Sequence, residues 1–425
     1  MSRPDFRTEP TASQTTDTGE VLRPIPDDLL ESWFGFRDFL HLSVDDARGR
    51  PVWETVSSFC PNSWEVDRLD DTGPLDPTYP QACWANPFTL STVWGVDEGW
   101  ATNALPWLSL PARPFEVGSY EMRIWIDEAF VDLFGIAPAD AERTIALDVV
   151  KEMPKRPATG RPTLSERLAA VPEIVPSDDV VPNMAALPAW SIGVDNRRTR
   201  DYLVFASTVS NHGPAPLLVE GFRQPDADVM DAWQYFTDAT GAIVGKASAG
   251  QFEFDDRRGH NHWHFDQFTD YALMDATKTN EIMSEKQSFC LAPTDPIDLL
   301  APGAEWNVQW GSMCGDPGSL WVRESLPSGW GDTYYQWLPG QSFEVTDLPN
   351  GRYFIRVRVN PLGELWDRTD ADDISYRRIV LRGEIGGRRW VAVPPYQGVD
   401  TEGCWSCPSM RVQPPYDGVL RWPPD

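Results

Sequence analysis

Three histidines stand at alternate positions in His260-Asn-His-Trp-His264, and the chain holds only five in all. In a β-strand, alternate residues share a face, so His260, His262 and His264 would all point the same way. Neutral imidazoles grouped like this suit copper or zinc, not magnesium or calcium, which take oxygen ligands. Geometry limits the arrangement. Cα atoms four residues apart in a strand are about 13 Å apart. An imidazole and its ~2.0 Å metal–nitrogen bond together span about 6.5 Å from each Cα. One ion therefore reaches all three only if the strand is bent or bulged; otherwise two bind and the third packs. No HExxH zinc-hydrolase helix accompanies them, which removes the commonest hydrolytic reading.

The rest of the chain must position this triplet. At 425 residues it is long enough for two or three domains. Hydrophobic residues at 41% and charged residues at 24% describe a globular protein, and no apolar run approaches the length of a membrane-spanning helix. The formal charge of −28 argues against a nucleic-acid partner and would attract cationic amines. Thirty-nine prolines, 31 glycines and 20 tryptophans predict short strands and tight turns around aromatic cores.

The expected fold is mainly β, with two β-sandwich-like domains joined by a Pro-rich linker and few short helices. Residues 1–33 read as a disordered arm and 34–150 as the first sandwich, with one short helix at Glu128 to Ile136. Residues 151–187 read as the linker, 188–389 as a second β domain, and 390–425 as a Pro-rich tail containing Cys404-Trp-Ser-Cys407. Pro-Asn-Gly at 349–351, between SFEVTDL and RYFIRVRV, predicts a hairpin. The six cysteines fall into three local pairs, at 60 and 83, 290 and 314, and 404 and 407. That suits three disulfides and an oxidising compartment, pointing to an extracellular or cell-surface location. The opening MSRPDFRTEPTASQTTDTGE has no apolar core of the kind a secretory signal needs.

HNHWHFDQFTDYALMD resembles the copper-binding segment of the lysyl oxidases. KQSFCL, from Lys286, is similar to that family's K-x-S-F-C-L segment. GDTY, ending at Tyr334, and the following GQSFEVTDLPNGRYFIRVRVNP resemble its D-T-Y segment and what comes after it. The three occur in the family's order over roughly 188 to 385. The resemblance implies that His260, His262 and His264 hold copper. It also implies that Lys286 and Tyr334 join into lysine tyrosylquinone, which a primary amine or lysine-bearing substrate attacks. The products would be an aldehyde, ammonia and hydrogen peroxide.

For the lysine to add to an oxidised ring it must be neutral, which requires a lowered pKa. Tyr335 follows Tyr334, and alternation would put the two on opposite faces. Asp266, Asp270, Asp275 and Asp332 lie in or near these segments, and the sequence selects none of them as the proton-abstracting base. The family's animal members carry more disulfides around the quinone, of which a Cys290–Cys314 bond would keep one. A copper- or zinc-binding adhesive or scaffold module without catalysis is the alternative from another class. Neither the physiological amine nor the oligomeric state can be read from the sequence.

Overall fold

A computed structural model describes residues 1–425 except 6–7, 17, 63–65, 70–71, 81–82, 84–85, 103, 105–114, 150–170, 198, 224–226, 257–261, 309, 398–400 and 403–425; at Gln267 and 285–287 only the backbone is described. The chain is mainly β and divides into two compact units. One comprises Met1, Thr11–Cys83 and Trp94–Ala170. The other comprises Ser2–Pro10, Trp84–Val93 and Val171–Asp425.

In the first unit, β1 (Ala12–Thr15) pairs with β2 (Val21–Ile25), where a disordered arm is expected from composition. The ribbon forms because Ala12 and Ile25 bury together with Leu30 against Phe36 and Trp94. A four-stranded antiparallel sheet runs in the order β4 (Pro51–Phe59), β3 (Phe36–Asp46), β7 (Gly118–Ile126), β8 (Glu142–Val149). β5 (Val66–Arg68) and β6 (Trp100–Thr102) form a separate pair. The helix α1 (Glu128–Phe134) is set by its ends. Asp127 accepts the Ala129 amide at 3.0 Å, and Gly135 closes the last turn at φ 67°. Its Phe130 buries with Phe39 and Leu40. Among the described residues the layer on this sheet is thus α1 with its aromatic neighbours, not the second full sheet of a sandwich. The Cys60–Cys83 disulfide forms as expected.

The second unit is a sandwich. Its smaller sheet runs β10 (Trp190–Arg197), β11 (Arg200–Asn211), β19 (Trp330–Tyr334), β17 (Asp295–Pro296), and β9 (Met184–Ala186) and β20 (Ser342–Glu344) also pair with β11. The larger sheet begins with β18 (Trp321–Leu326), β12 (Leu217–Phe222), β13 (Val229–Thr237), β14 (Ile243–Asp255) and β15 (His262–Met274). It continues with β21 (Gly351–Val359), β22 (Ile374–Gly383) and β23 (Arg389–Ala392), and β16 (Glu281–Phe289) also pairs with β15. One core joins both sheets, with Leu203, Phe205 and Val209 from the smaller and Leu217, Phe252 and Ile355 from the larger. No helix among the described residues is long and apolar enough to cross a membrane.

Three expectations change here. The Pro-Asn-Gly turn does not close a hairpin: β20 joins β11 and β21 joins β15, so the turn passes the chain between sheets. Two short alternating runs fit a hairpin and a sandwich corner equally well, and burial on both sheets decides for the corner. Residues 171–187 are more than a linker, because Val180 and Val181 are buried and β9 pairs with β11. The described start of the tail is anchored: Arg377 donates to Thr401 Oγ1 at 2.8 Å, and Thr401 is fully buried. Cys404 and Cys407 lie outside the described residues.

The loop after β21 carries a group of carboxylates. Asp367 accepts the Met184 amide at 3.1 Å, and Asp372 accepts from Asn183 Nδ2 at 2.8 Å. Burial first, then mutual repulsion, pushes Asp367 up to about 6 and Asp373 up to about 7. Folded pKa values above the unfolded value favour the fold at low pH, and that contribution fades as pH rises from about 4 towards 7. With chelator present, Asp373→Asn should match the wild type in melting temperature at pH 4 and exceed it by at least about 2 °C at pH 8. An equal difference at both pH values contradicts this.

Candidate active site

The histidine segment enters the larger sheet as β15. His262 pairs with Asp255 and His264 with Glu253 across β14. The two rings lie side by side with centroids 4.7 Å apart, and His264 is 1% exposed. Trp263, between them, points the other way. Its indole packs edge-on against Phe254, its Nε1 donates to the Asp316 carbonyl at 2.9 Å, and it is 2% exposed. Alternation of His and Trp is therefore what sets the two imidazoles on a common face. His260 falls outside the described residues.

The pairing of β15 with β16 shifts register between Phe265 and Thr269, directly after His264. Before the shift β15 pairs with β14; beyond it, with β21. Asp255 Oδ2 stands 3.6 Å from His264 Nδ1, too long for a direct hydrogen bond. Two imidazoles on a common face with a carboxylate nearby are of the donor type that copper takes. His212 is exposed and hydrogen bonds Ser210 Oγ at 2.7 Å, so it stays outside this group.

Tyr334 ends β19 facing the sandwich interior, 8% exposed. Its ring stacks on Phe289 with centroids 3.8 Å apart and planes within 4°. Its hydroxyl accepts the Cys290 amide at 2.8 Å. Burial, then the nearby Asp332 and Glu324, pushes the phenol well above its ordinary pKa. Tyr335 instead packs against Trp190 and stacks on Trp337 at 4.6 Å, so adjacent tyrosines serve different layers. Cys290 is disulfide-bonded to Cys314. These sulfurs and Glu324 place ligand-type atoms within 4.8 Å of one another. The sulfurs are consumed in the disulfide and offer no thiolate, so this is not the metal centre.

Lys286 lies on β16, its backbone paired with Asp270. Four residues of strand separate its Cα from that of Cys290, on the order of 13 Å. Tyr334 and the lysine segment thus belong to one stretch of structure but are not joined.

The four aspartates considered as bases are now distinguishable. Asp270 is held by Arg356 at 2.8 Å and by Arg358. Asp275 organises its own turn through Thr277 and Asn280, which pulls its pKa down. Asp266 accepts from Ser288 Oγ at 3.0 Å. Asp332 alone is deep in the interior beside Tyr334, 1% exposed.

Glu324, which the sequence reading passed over, is also there, 0% exposed and accepting the Leu291 amide at 2.8 Å. A signal existed: Val322, Glu324 and Leu326 form one row of β18, and both apolar neighbours are fully buried. Burial pushes both carboxyls well above the usual range, and the charge of Asp332 raises Glu324 further. Elsewhere, a cleft of about 320 Å³ is lined by residues that include Arg197, Arg200 and Arg388. None of His262, His264 or Tyr334 lines it, so that cleft is not the candidate site.

Comparison with known proteins agrees with this geometry. The family model described as lysyl oxidase matches residues 236–383, which include the histidine strand, β16 and Tyr334. Lysyl oxidase homolog 2 of Gallus gallus is 27% identical over 146 residues, covering 34% of this chain and 17% of that protein. The Homo sapiens lysyl oxidase homolog 2 is 28% identical over 131 residues, covering 31% and 15%. Lysyl oxidase homolog 3B of Danio rerio is 31% identical over 103 residues, covering 24% and 11%. The chain thus spans less than a fifth of the length of these relatives. Within that span the matched residues carry the β15, β16 and β19 arrangement, and this chain contains a domain of the lysyl oxidase family.

Proposed function

We propose that this protein is a copper-dependent amine oxidase that converts primary amines, peptidyl lysine among them, to aldehydes with release of ammonia and hydrogen peroxide. The observation that carries this reading is the setting of Tyr334. It is a buried tyrosine whose hydroxyl rests on the Cys290 amide, in a segment that begins with Lys286. His260, His262 and His264 would hold copper, which supplies electron transfer to dioxygen. Lysine tyrosylquinone from Lys286 and Tyr334 would supply the electrophile that amines attack.

The chain's own residues do the positioning. Phe289 covers the ring of Tyr334 and keeps water from that face. Arg356 and Arg358 hold Asp270, and Arg356 also holds Glu281, which fixes β16 and β21 beside the register position of Lys286. The neutral amine is the form of Lys286 that adds to an oxidised ring. The Cys290–Cys314 bond ties the end of the lysine segment to the loop before β18. Two disulfides also suit an oxidising, extracellular or cell-surface setting. The test is the covalent Lys286–Tyr334 product in copper-loaded protein.

A further inference from the structure

The arginine-lined cleft of about 320 Å³ lies within the second unit, where two turns meet. One turn joins β10 to β11, and there Arg197 and Arg200 are cross-strand partners. The other joins β22 to β23 and is closed by the Glu384 amide on the Arg388 carbonyl at 3.2 Å. Gly386, at φ 73°, donates its amide to the Thr346 carbonyl at 3.1 Å, which seats this second turn. The stretch of β11 from Arg200 to Ser207, the partner of Tyr334, is about 23 Å long. The cleft therefore stands apart from the candidate active site.

Three guanidiniums line the cleft against one carboxylate, that of Asp201. Both oxygens of Asp201 are already occupied, one by Asn196 Nδ2 at 2.8 Å and the other by the Arg389 amide at 2.9 Å. Arg197 is anchored through Nε to Asp195 at 2.7 Å and lies over the ring of Tyr202. Arg388 is anchored through Nε to Asn196 Oδ1 at 3.3 Å, and no carboxylate among the described residues pairs with it. Arg200 is held by Glu344 at 2.9 Å. Asp195 and Asp201 are each 5% exposed, so buried groups set these positions. Anchoring at Nε leaves the terminal nitrogens of Arg197 and Arg388 as donors, and that two-pronged end is what grips an oxyanion.

Like charges gathered in one concave site repel, and an anion seated among them relieves the repulsion. To meet three guanidiniums at once, the anion needs more acceptor oxygens than the two of a carboxylate. It must also be compact, because the formal charge of −28 repels an extended polyanion beyond the cleft. We propose that this cleft binds a tetrahedral oxyanion, phosphate or sulfate, free or as a small ester, through Arg197, Arg200 and Arg388. The site is additional to the amine-oxidising one and depends neither on copper nor on Tyr334.

The experiment titrates the full copper-free chain by calorimetry at constant ionic strength. Inorganic phosphate, inorganic sulfate and phenyl phosphate are the probes, with acetate as the two-oxygen control. At least one tetrahedral anion should saturate at one per chain, and acetate should bind at least about tenfold more weakly. Tightest binding by the inorganic ions would identify a free anion as the ligand, and tightest binding by phenyl phosphate an ester. Arg197→Gln and Arg388→Gln should each weaken that binding at least about tenfold. Both side chains are exposed, so the melting temperature without anion should stay close to wild type. Arg378→Gln, exposed on β22 and outside the cleft, should bind as the wild type does. No saturable binding of any tetrahedral anion, or acetate bound as tightly, overturns the proposal. Binding that survives in the Arg197→Gln, Arg388→Gln double variant, or that falls equally in Arg378→Gln, overturns it as well.

Discussion

Tyr334→Phe should reduce amine oxidation by at least roughly a thousandfold, because the group that becomes the electrophile is deleted rather than displaced. The fold should survive. Phenylalanine keeps the ring stacked on Phe289. What is lost is the acceptor for the Cys290 amide, and an orphaned buried N–H costs about 1–3 kcal/mol. Copper occupancy should not change, since Tyr334 is not among the imidazole donors. Tyr335→Phe is the matched control. That side chain packs with Trp190 and Trp337, away from Phe289, and its activity should stay within about twofold of wild type. Peroxide release measured with a simple primary amine decides the matter. Turnover retained in Tyr334→Phe, or lost in Tyr335→Phe, would contradict the assignment of the two tyrosines.

The second large effect belongs to the metal. Outer-shell partners of metal ligands typically cost 10–100-fold in affinity when changed, so deleting a ligand should exceed about a hundredfold. His264→Ala and His262→Ala should each weaken copper binding beyond that bound, measured by competition with a chelator of known affinity. His212→Ala should leave it unchanged, because that ring is hydrogen bonded to Ser210 outside the group. Tight, stoichiometric copper in both the His262 and His264 variants would show that the alternating imidazoles are a hydrogen-bonded row and not a binding site.

Much of this arrangement was legible in the residues. The common face of His262 and His264 follows from strand alternation alone, and so does the separation of Tyr334 from Tyr335. The second unit was legible as a sandwich because its runs alternate and its turns carry proline and glycine. The pairing partners were not. SFEVTDL and RYFIRVRV look like neighbours around Pro-Asn-Gly, yet the choice between hairpin and corner depends on which sheet needs the strand, a long-range matter. The ribbon at Ala12 and Ile25 was hidden for the same reason, since its stability comes from Leu30, Phe36 and Trp94. Glu324 shows the opposite failing. Its place in an apolar row was readable locally, but a lone glutamate in an acidic chain drew no notice. Asp332 could be named but not ranked, because what separates it is long-range: two arginines hold Asp270, its own turn holds Asp275, and Asp332 is buried beside Tyr334.

The central claim is that Lys286 and Tyr334 become one covalent group. Reconstituting the purified chain with copper in air, checking occupancy, and mapping its peptides by mass spectrometry tests this directly. The account predicts a species joining the Lys286 and Tyr334 peptides at the quinone mass, absent from Lys286→Ala and from protein kept without oxygen. Both peptides recovered intact from fully copper-loaded wild-type protein would contradict it, leaving a metal-binding β domain without the oxidase chemistry.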